Sequence, residues 1–334
     1  MLKVLVTGGA GFIGSHTVCE LEASGSRPVI ADNFCNSEQR VMDGLEKITG
    51  HAPVVHRIDC TDVQAMRSMF AHENFDAVIH FAAFKAVGES VEHPLKYYRN
   101  NITSMMVVLE MMKEFDVQHL VFSSSCTVYG QPDHLPVTEE SPLKTPSSPY
   151  GFTKQVCEQL VKDFIASEKK FSAALLRYFN PVGAHPSGFN GELPMGLPNN
   201  LVPFIAQTAA GIRNEVSVFG SDYNTHDGTC IRDYIHVVDL AKAHVKALAW
   251  LVKNKGKCEA FNLGSGRGNS VLEVIRSFEK ITGKKLNYKI SDRRSGDVEQ
   301  IWADPSKANL ELNWKTELSL EDALRDAWRW QLNL

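Results

Sequence analysis

Leu2-Lys3-Val4-Leu5-Val6-Thr7-Gly8-Gly9-Ala10-Gly11-Phe12-Ile13-Gly14 is the stretch that decides the fold. A short aliphatic and β-branched run breaks into a glycine turn, and a helical pattern then runs from Gly14 to Ser24. Glycine spacing alone is weak; its placement between a strand and a helix gives it meaning. Glycines permit the tight turn and let backbone amides at a helix N-terminus approach a pyrophosphate. The next strand candidate, Pro28 to Asp32, ends in an acid 18 residues beyond Gly14. A carboxylate there accepts hydrogen bonds from both hydroxyls of an adenosine ribose and repels a 2′-phosphate, which predicts NAD over NADP. A glycine-rich turn that binds nothing would not call for Asp32.

Working outward, short β-branched runs alternate with helical patterns. Further strand candidates are Val54 to Asp59, Ala77 to Phe81, His119 to Ser124 and Ala173 to Tyr178. Helical stretches include Asp62 to Ala71, Leu95 to Phe115 and Tyr150 to Ser167. This order predicts an α/β fold: a Rossmann-type, doubly wound parallel sheet covered on both faces, with ligands at the carboxyl ends of its strands. After Asn180 the chain becomes dense in Gly, Pro and Asn, which reads as departure into a smaller C-terminal α+β substrate-binding domain. The expected division is 1–180 for a dinucleotide-binding domain, with later segments at about 236–265 returning to it, and 181–334 mainly for the second domain. The strand-like Ala260 to Gly264 and the helix from Ser270 are the candidates for that return.

Composition limits what such a chain binds. Among 334 residues, 35 Lys+Arg against 39 Asp+Glu give a net charge of -4, so no global basic field holds nucleic acid or an anionic membrane. An anionic ligand must be met by a few placed groups. The seven cysteines are scattered without metal-ligand spacing, as are the histidines, which predicts no metal site and reduced thiols in a cytoplasmic protein. No signal-peptide pattern precedes the first strand. Around Ala241 to Leu251 the apolar run carries Lys242, His244 and Lys246, whereas a membrane span needs roughly 20 apolar residues; it reads as an amphipathic surface helix.

Two further clusters carry chemistry. In Tyr150-Gly151-Phe152-Thr153-Lys154, Ser148 and Pro149 supply an N-cap and a first helical position, so Lys154 lies one turn beyond Tyr150 on the same face. Alone, that is a common surface pair. Beside a nucleotide fingerprint it suggests a tyrosine base, whose pKa near ~10 would have to fall by roughly three units, or about 4 kcal/mol. A nearby ammonium and a cationic nicotinamide are the available causes. Leu120 to Ser125 is an apolar strand ending in three serines; Ser125 reaches a ligand at the strand end, or else merely satisfies backbone groups.

The set TGGAGFIG, HFAAFKAVGES (His80 to Ser90), SSS with Tyr129-Gly130, YGFTK, RYFNPVGAHPSG (Arg177 to Gly188), PNNLVP, RDYIHVVDLA (Arg232 to Ala241) and NLGSGRGNSV closely resembles the UDP-galactose 4-epimerase (UDP-glucose 4-epimerase) family, within the extended short-chain dehydrogenases/reductases. The resemblance runs from the first strand to Trp328 and Trp330. The glycine and Tyr-Lys motifs mark only the superfamily, whereas NPVGAHPSG and PNNLVP are far more specific. It implies Tyr150 as base at the sugar 4-hydroxyl, Ser125 as its hydrogen-bond partner, and Lys154 on the nicotinamide ribose. For the cofactor it implies Gly8, Gly11, Phe12 and Ile13 at the pyrophosphate, and Asp32, Asn33 and Asn36 at the adenosine ribose. Asp59 and Cys60 would flank the adenine. Phe81, Ala82, Ala83, Lys85, Asn100, Ser123 and Tyr178 would complete that site. For the UDP-sugar it implies Lys85, Phe179, Asn180, Asn200 and Leu201, with Ser217 and Phe219 toward uracil. Arg232 and Arg294 would meet the diphosphate, Asp297 the uridine ribose, and Tyr234 and Ile301 would line the pocket.

The activity so implied interconverts UDP-galactose and UDP-glucose through a transient 4-ketose, hydride passing to tightly held NAD and back, in galactose metabolism. Binding would concentrate on the nucleotide and leave the sugar loose enough to turn over. Ile301 leaves activity on UDP-GalNAc and UDP-GlcNAc open. Cys126 stands where alanine is commoner and reads as a small buried neighbour. Met105, Met106, Met111 and Met112 suit core packing, yet the family pairs this helix with the Tyr150 helix in a homodimer interface. A 4,6-dehydratase of the same fold needs an Asp-Glu pair where Cys126 and Thr127 stand, and a non-catalytic NAD-binding scaffold has no need of Ser125, Tyr150 and Lys154 together.

Overall fold

The aliphatic runs at the centre of the sheet become strands buried on both faces, as a sheet covered by helices requires, while the edge run at Val54 stays partly exposed. A computed structural model describes residues 1–294 and 296–334. Strands β1 (Lys3–Thr7), β2 (Arg27–Ala31), β3 (Val54–His56), β4 (Ala77–His80), β5 (His119–Ser125) and β6 (Ser172–Tyr178) lie in one parallel sheet. The second region contributes β7 (Asn180–Val182), β8 (Val216–Phe219), β9 (Ile231–Arg232) and β10 (Tyr234–His236). The chain then returns, and β11 (Cys258–Leu263) pairs with β6 as the seventh strand, giving the order β11-β6-β5-β4-β1-β2-β3. Winding reverses between β1 and β4, so a crevice opens at their carboxyl ends. The sheet is the doubly wound one that the glycine stretch predicts.

Helices α1 (Phe12–Ala23), α2 (Gln39–Thr49) and, much later in the chain, α8 (Val237–Lys253) share one apolar cluster with one face of the sheet. Helices α3 (Val63–Glu73), α5 (Pro94–Glu114) and α6 (Pro149–Ser167) share the other, with the short α4 (Val87–Glu92) leading into α5. A third cluster joins α7 (Leu201–Ala209), α9 (Val271–Thr282) and α11 (Leu320–Leu332) with β8. Strands β12 (Asn269–Ser270), β13 (Tyr288–Ser291) and β14 (Gln300–Ile301) complete two small sheets there, and α10 (Ser306–Glu311) packs beside β11.

Three expectations change. The strand at Val54 stops at His56 because Asp59 turns the chain, its Oδ1 accepting from the Thr61 amide at 2.8 Å and hydroxyl at 2.7 Å. The helix from Ser270 does not return to the large sheet: Val274, Ile275 and Phe278 pack with α7 and α11. The helix at Ala241 to Leu251 is no surface element, since α8 buries Ala241, Ala243, His244, Ala247, Leu248 and Leu251 beside α1. Among the described residues no helix is long and apolar enough to cross a membrane.

Three histidines inside this core are held neutral. Burial lowers His16 and His80 to about 3 and His244 to about 4, from an ordinary 6.5. His16 Nδ1–H donates to the Phe12 carbonyl and His244 Nδ1–H to the Leu240 carbonyl, at 2.7 and 2.8 Å. Below about pH 6.5 the unfolded chain protonates all three while the fold does not, so this stabilisation is complete above that pH and is lost as pH falls through the folded values. Between pH 7 and 5 the three rings together contribute a slope approaching about 4 kcal/mol per unit to the unfolding free energy. NMR of the folded protein should show their imidazole signals unshifted from about pH 8 to 5; a midpoint near the ordinary 6.5 would mean that these rings are not neutral in the fold.

Candidate active site

The first part of the site is built by close backbone approach. Gly8 leaves β1 with φ +69°, and a Cβ on it would stand 2.8 Å from the Ala82 nitrogen. Gly11 caps α1 without any side-chain hydrogen bond, so the first helical amides, at Phe12 and Ile13, face the crevice without a side-chain partner. Asp32, just past β2, braces the loop: its carboxylate accepts from the amides of Ala10 at 3.0 Å and Phe34 at 2.8 Å. Burial raises its pKa, with those hydrogen bonds acting the other way. Asn33 Nδ2 donates to Asp59 Oδ2 at 2.9 Å. Burial would raise Asp59 as well, but the Thr61 and Asn33 donors hold it below the usual range. Cys60 is buried beside it, its thiol pushed up by burial, whereas Asn36 sits on an exposed turn. The residues read as a nucleotide set thus line up along the carboxyl ends of β1, β2 and β3, and a loop that rejects a Cβ above an uncapped helix end fits a dinucleotide pyrophosphate.

The second part lies where β5 meets α6. Ser148 Oγ accepts from the Gly151 amide at 3.2 Å and Pro149 takes the first turn, as the sequence predicts. Lys154 Nζ, one turn on, donates to the Ser123 carbonyl at 2.7 Å and stands 5.8 Å from the centre of the Tyr150 ring. Burial lowers Lys154 to about 8, with Cys157 and Glu158 opposing. Tyr150 is not depressed in the protein itself: burial pushes it up to about 12, and only the nearby Ser125 hydroxyl acts downward. The lysine therefore does not supply the expected depression by itself. Ser125 Oγ accepts from the Thr127 amide at 3.2 Å and hydroxyl at 3.0 Å, leaving its own proton to donate. The Ser123 hydroxyl bonds the Tyr178 hydroxyl. Phe81, Ala82 and Ala83 leave β4 nearby, and the His244 ring lies 4.7 Å from Phe81 and 5.8 Å from Tyr178. Its Nε2 has no partner among the described residues. Asn100, on α5, spends its amide on Asn101 at 3.0 Å.

The third part belongs to the later chain. Asp297 lies between two guanidinium groups, 3.8 Å from Arg232 and 3.0 Å from Arg294, while Arg294 also stands 5.6 Å from the Phe219 ring. Ser217 and Phe219 share β8, and Tyr234 is buried on β10. Ile301 pairs with Arg232 in the small sheet and is buried with Cys126 and Phe179, so the arginine strand abuts the end of β5. Asn180 starts β7, its amide donating to the Asp233 carbonyl at 3.0 Å. Asn200 caps α7 ahead of Leu201.

Several residues outside the sequence reading hold these parts in place. Glu192 accepts from Lys85 Nζ at 3.1 Å and Asn200 Nδ2 at 2.6 Å, joining the loop after β4 to α7. Buried Asp233 accepts from the amides of Ser265, Gly266 and Ala303. Glu158 and Arg177 form a buried pair beneath Ser124. The sequence carries one signal for the last pair: an acid one turn past Lys154 on an apolar face, and an arginine inside the run Ala173 to Tyr178. Among the described residues no group of three or more His, Cys, Asp or Glu is arranged to hold a metal.

Gly14 shows how little room the loop leaves: a Cβ there would lie 2.4 Å from the Gly8 carbonyl oxygen. Gly14→Ala must push α1 off the loop, and we expect the purified variant to retain less than about a tenth of the dinucleotide held by the parent, by ultraviolet absorbance after denaturation. Equal retention would refute the loop as the pyrophosphate site.

The family model described as GDP-mannose 4,6 dehydratase matches residues 5–327. The UDP-glucose 4-epimerase of Bacillus subtilis (strain 168) is 51% identical over 330 residues, covering 99% of this chain and 97% of that protein. Among solved structures, the UDP-glucose-4-epimerase from Stenotrophomonas maltophila with bound NAD and formylated UDP-arabinopyranose superposes with a TM-score of 0.96 at 50% identity, over 100% of this chain and 98% of that one. The UDP-glucose 4-epimerase from Bifidobacterium longum in complex with NAD+ and UDP also gives 0.96, at 47% identity over 99% and 98%. Matches of this extent, together with a glycine loop, a Tyr-Lys helix and a strand-end serine around one crevice, establish that the chain belongs to the UDP-glucose 4-epimerase family of extended short-chain dehydrogenases/reductases.

Proposed function

We propose that Tyr150, Lys154 and Ser125 are the reacting centre of this protein's activity, the interconversion of UDP-galactose and UDP-glucose by inversion at sugar C4. The observation that carries the proposal is the meeting of Tyr150 and Ser125 beside Lys154 at the carboxyl end of β5. NAD, the cofactor, would be held at the glycine loop and the Tyr150 helix, where it would supply a reversible hydride acceptor and a cationic ring near Tyr150. Tyr150 takes the 4-hydroxyl proton and later gives it back. Ser125 donates to the same oxygen, and Lys154, its ammonium fixed on the Ser123 carbonyl, is placed for the nicotinamide ribose. The remaining cofactor residues follow the assignment above, from Gly8 and Asp32 at the nucleotide end to Tyr178 and Asn100 near the reacting end.

Arg232 and Arg294 suit a diphosphate because a planar guanidinium bonds phosphate oxygens in pairs; Asp297 would be free to turn to the ribose once phosphate takes its place. We divide the chain into a cofactor domain, 1–180 with 236–265, and a mainly UDP-sugar-binding remainder, a reading supported by β11 and α8 packing on the large sheet. Ile301, packed with Cys126 and Phe179, forms the wall whose size bears on a 2-acetamido group, so UDP-GalNAc is the substrate to assay beside UDP-galactose. Purified protein should interconvert the two hexose nucleotides without added reductant. Tyr150→Phe should lower kcat by about 10²–10⁴-fold with KM little changed; a loss of only a few-fold would refute the assigned base.

A homodimer is the assembly we favour. Met105, Met111 and Met112 are core residues, but α5 and α6 pack side by side and present Leu95 at 76% exposure, Phe152 at 45% and Met106 at 41%. The paired variant Met106→Glu, Phe152→Glu should sediment as a monomer where the parent sediments as a dimer; an unchanged dimer would place the interface elsewhere. Seven free cysteines support a cytoplasmic location, since an oxidising compartment would be expected to pair some of them.

A further inference from the structure

We infer that Glu158, through Ser124 and Arg177, is a positioning residue for the reaction: it locks the helix bearing Tyr150 and Lys154 to the strand end bearing Ser123 and Ser125. The inference rests on those residues being the reacting centre. Glu158 lies one turn beyond Lys154 on α6, and its Oε1 accepts from Ser124 Oγ at 2.6 Å. Ser124 stands between Ser123, whose carbonyl receives the Lys154 ammonium, and Ser125, which lies beside Tyr150. The same carboxylate is held by two Arg177 nitrogens, Nε at 2.8 Å and an Nη at 2.6 Å. Arg177 immediately precedes Tyr178, the partner of the Ser123 hydroxyl. Lys154 is thus one turn and Tyr150 two turns before this buried carboxylate, while Ser123, Ser125 and Tyr178 each adjoin a residue that bonds it.

The arrangement restrains motion in the direction that matters. A helix packed on a sheet by apolar contacts alone slides with little penalty, because dispersion is not directional. A carboxylate with three donors at hydrogen-bond distance permits one register. Slippage of α6 along β5 by about 1 Å would separate Tyr150 from Ser125, and misplacement of that size can lower a rate by about 10²-fold. Glu158 also opposes the effect of burial on Lys154, keeping the ammonium charged.

Ser124→Ala tests the tie without stranding a charge, because Glu158 keeps both bonds to Arg177. For UDP-galactose, kcat should fall about tenfold, while KM, calorimetric binding of UDP, retained NAD and the thermal midpoint stay close to the parent's. Glu158→Gln should lower kcat about a hundredfold with the same split, and where stranded Arg177 prevents folding, the neutral pair Glu158→Gln, Arg177→Met takes its place. A Ser124→Ala kcat within twofold of the parent overturns the proposal, as does a parallel fall in kcat and UDP affinity, which marks general loosening. Tyr150→Phe separates the two readings. If it stays active the reacting centre is misassigned, and if it is inactive while Ser124→Ala is unimpaired, only the positioning role fails.

Discussion

Two opposite charges meet where water does not reach: a Glu158 oxygen and an Arg177 nitrogen lie 2.6 Å apart, with side chains 1% and 3% exposed. Burial alone would raise the Glu158 pKa, yet the hydrogen bonds and charge of Arg177 keep it below the usual carboxylate range. Such a pair gives little net stability over an apolar replacement, but losing either partner strands a charge at about 3–5 kcal/mol. Its consequence is geometric. From Arg177 the chain of polar contacts continues to the Tyr129 hydroxyl at 3.0 Å and on to Asn262 Oδ1 at 2.6 Å, so α6, β5, β6 and the returning strand β11 share one register. A polar network in a low-dielectric core must be satisfied throughout, which makes it specific.

The crevice above that network separates its electrostatic tasks. At the glycine loop, uncapped backbone amides and Asp32 face the crevice. At the reacting end, Lys154 is a buried ammonium whose pKa is already lowered to about 8, beside a tyrosine raised to about 12. Burial moves both groups toward their neutral forms. On the far side Arg232 and Arg294 share Asp297. A chain of net charge -4 thus holds these cations in place with carboxylates, and Glu192 does the same for Lys85.

Much of this was legible residue by residue. The glycines before α1, the acid after β2, and the Ser148-Pro149 cap that aims Tyr150 and Lys154 are local features, set by backbone conformation and one-turn spacing. Boundaries were less so: β3 ends early because the Asp59 turn competes with strand pairing. The helix after Ser270 was legible as a helix, its capping box with Glu273 being local, but its place was not, because an amphipathic face does not say which apolar surface it will meet. The same holds for the helix at Ala241 to Leu251, whose lysines suggested a surface stripe although most of its length is buried against α1.

The sequence by itself determined the alternation of strands and helices in the first half, the glycine turn, the cap of α6 and the family likeness, since each depends on neighbours within a few residues or on motifs carried in the chain. Only the tertiary structure decided that Glu158 answers Arg177 beneath Ser124, that Glu192 spans Lys85 and Asn200, that Asp297 sits between two arginines, and that Tyr150 is raised rather than depressed in the protein alone. Those facts join residues 19, 107 and 65 positions apart, for the pairs Glu158–Arg177, Lys85–Glu192 and Arg232–Asp297. A charge's partner and its burial are properties of the packed chain: desolvation and Coulomb energy depend on distance and surroundings, which no spacing along the sequence records.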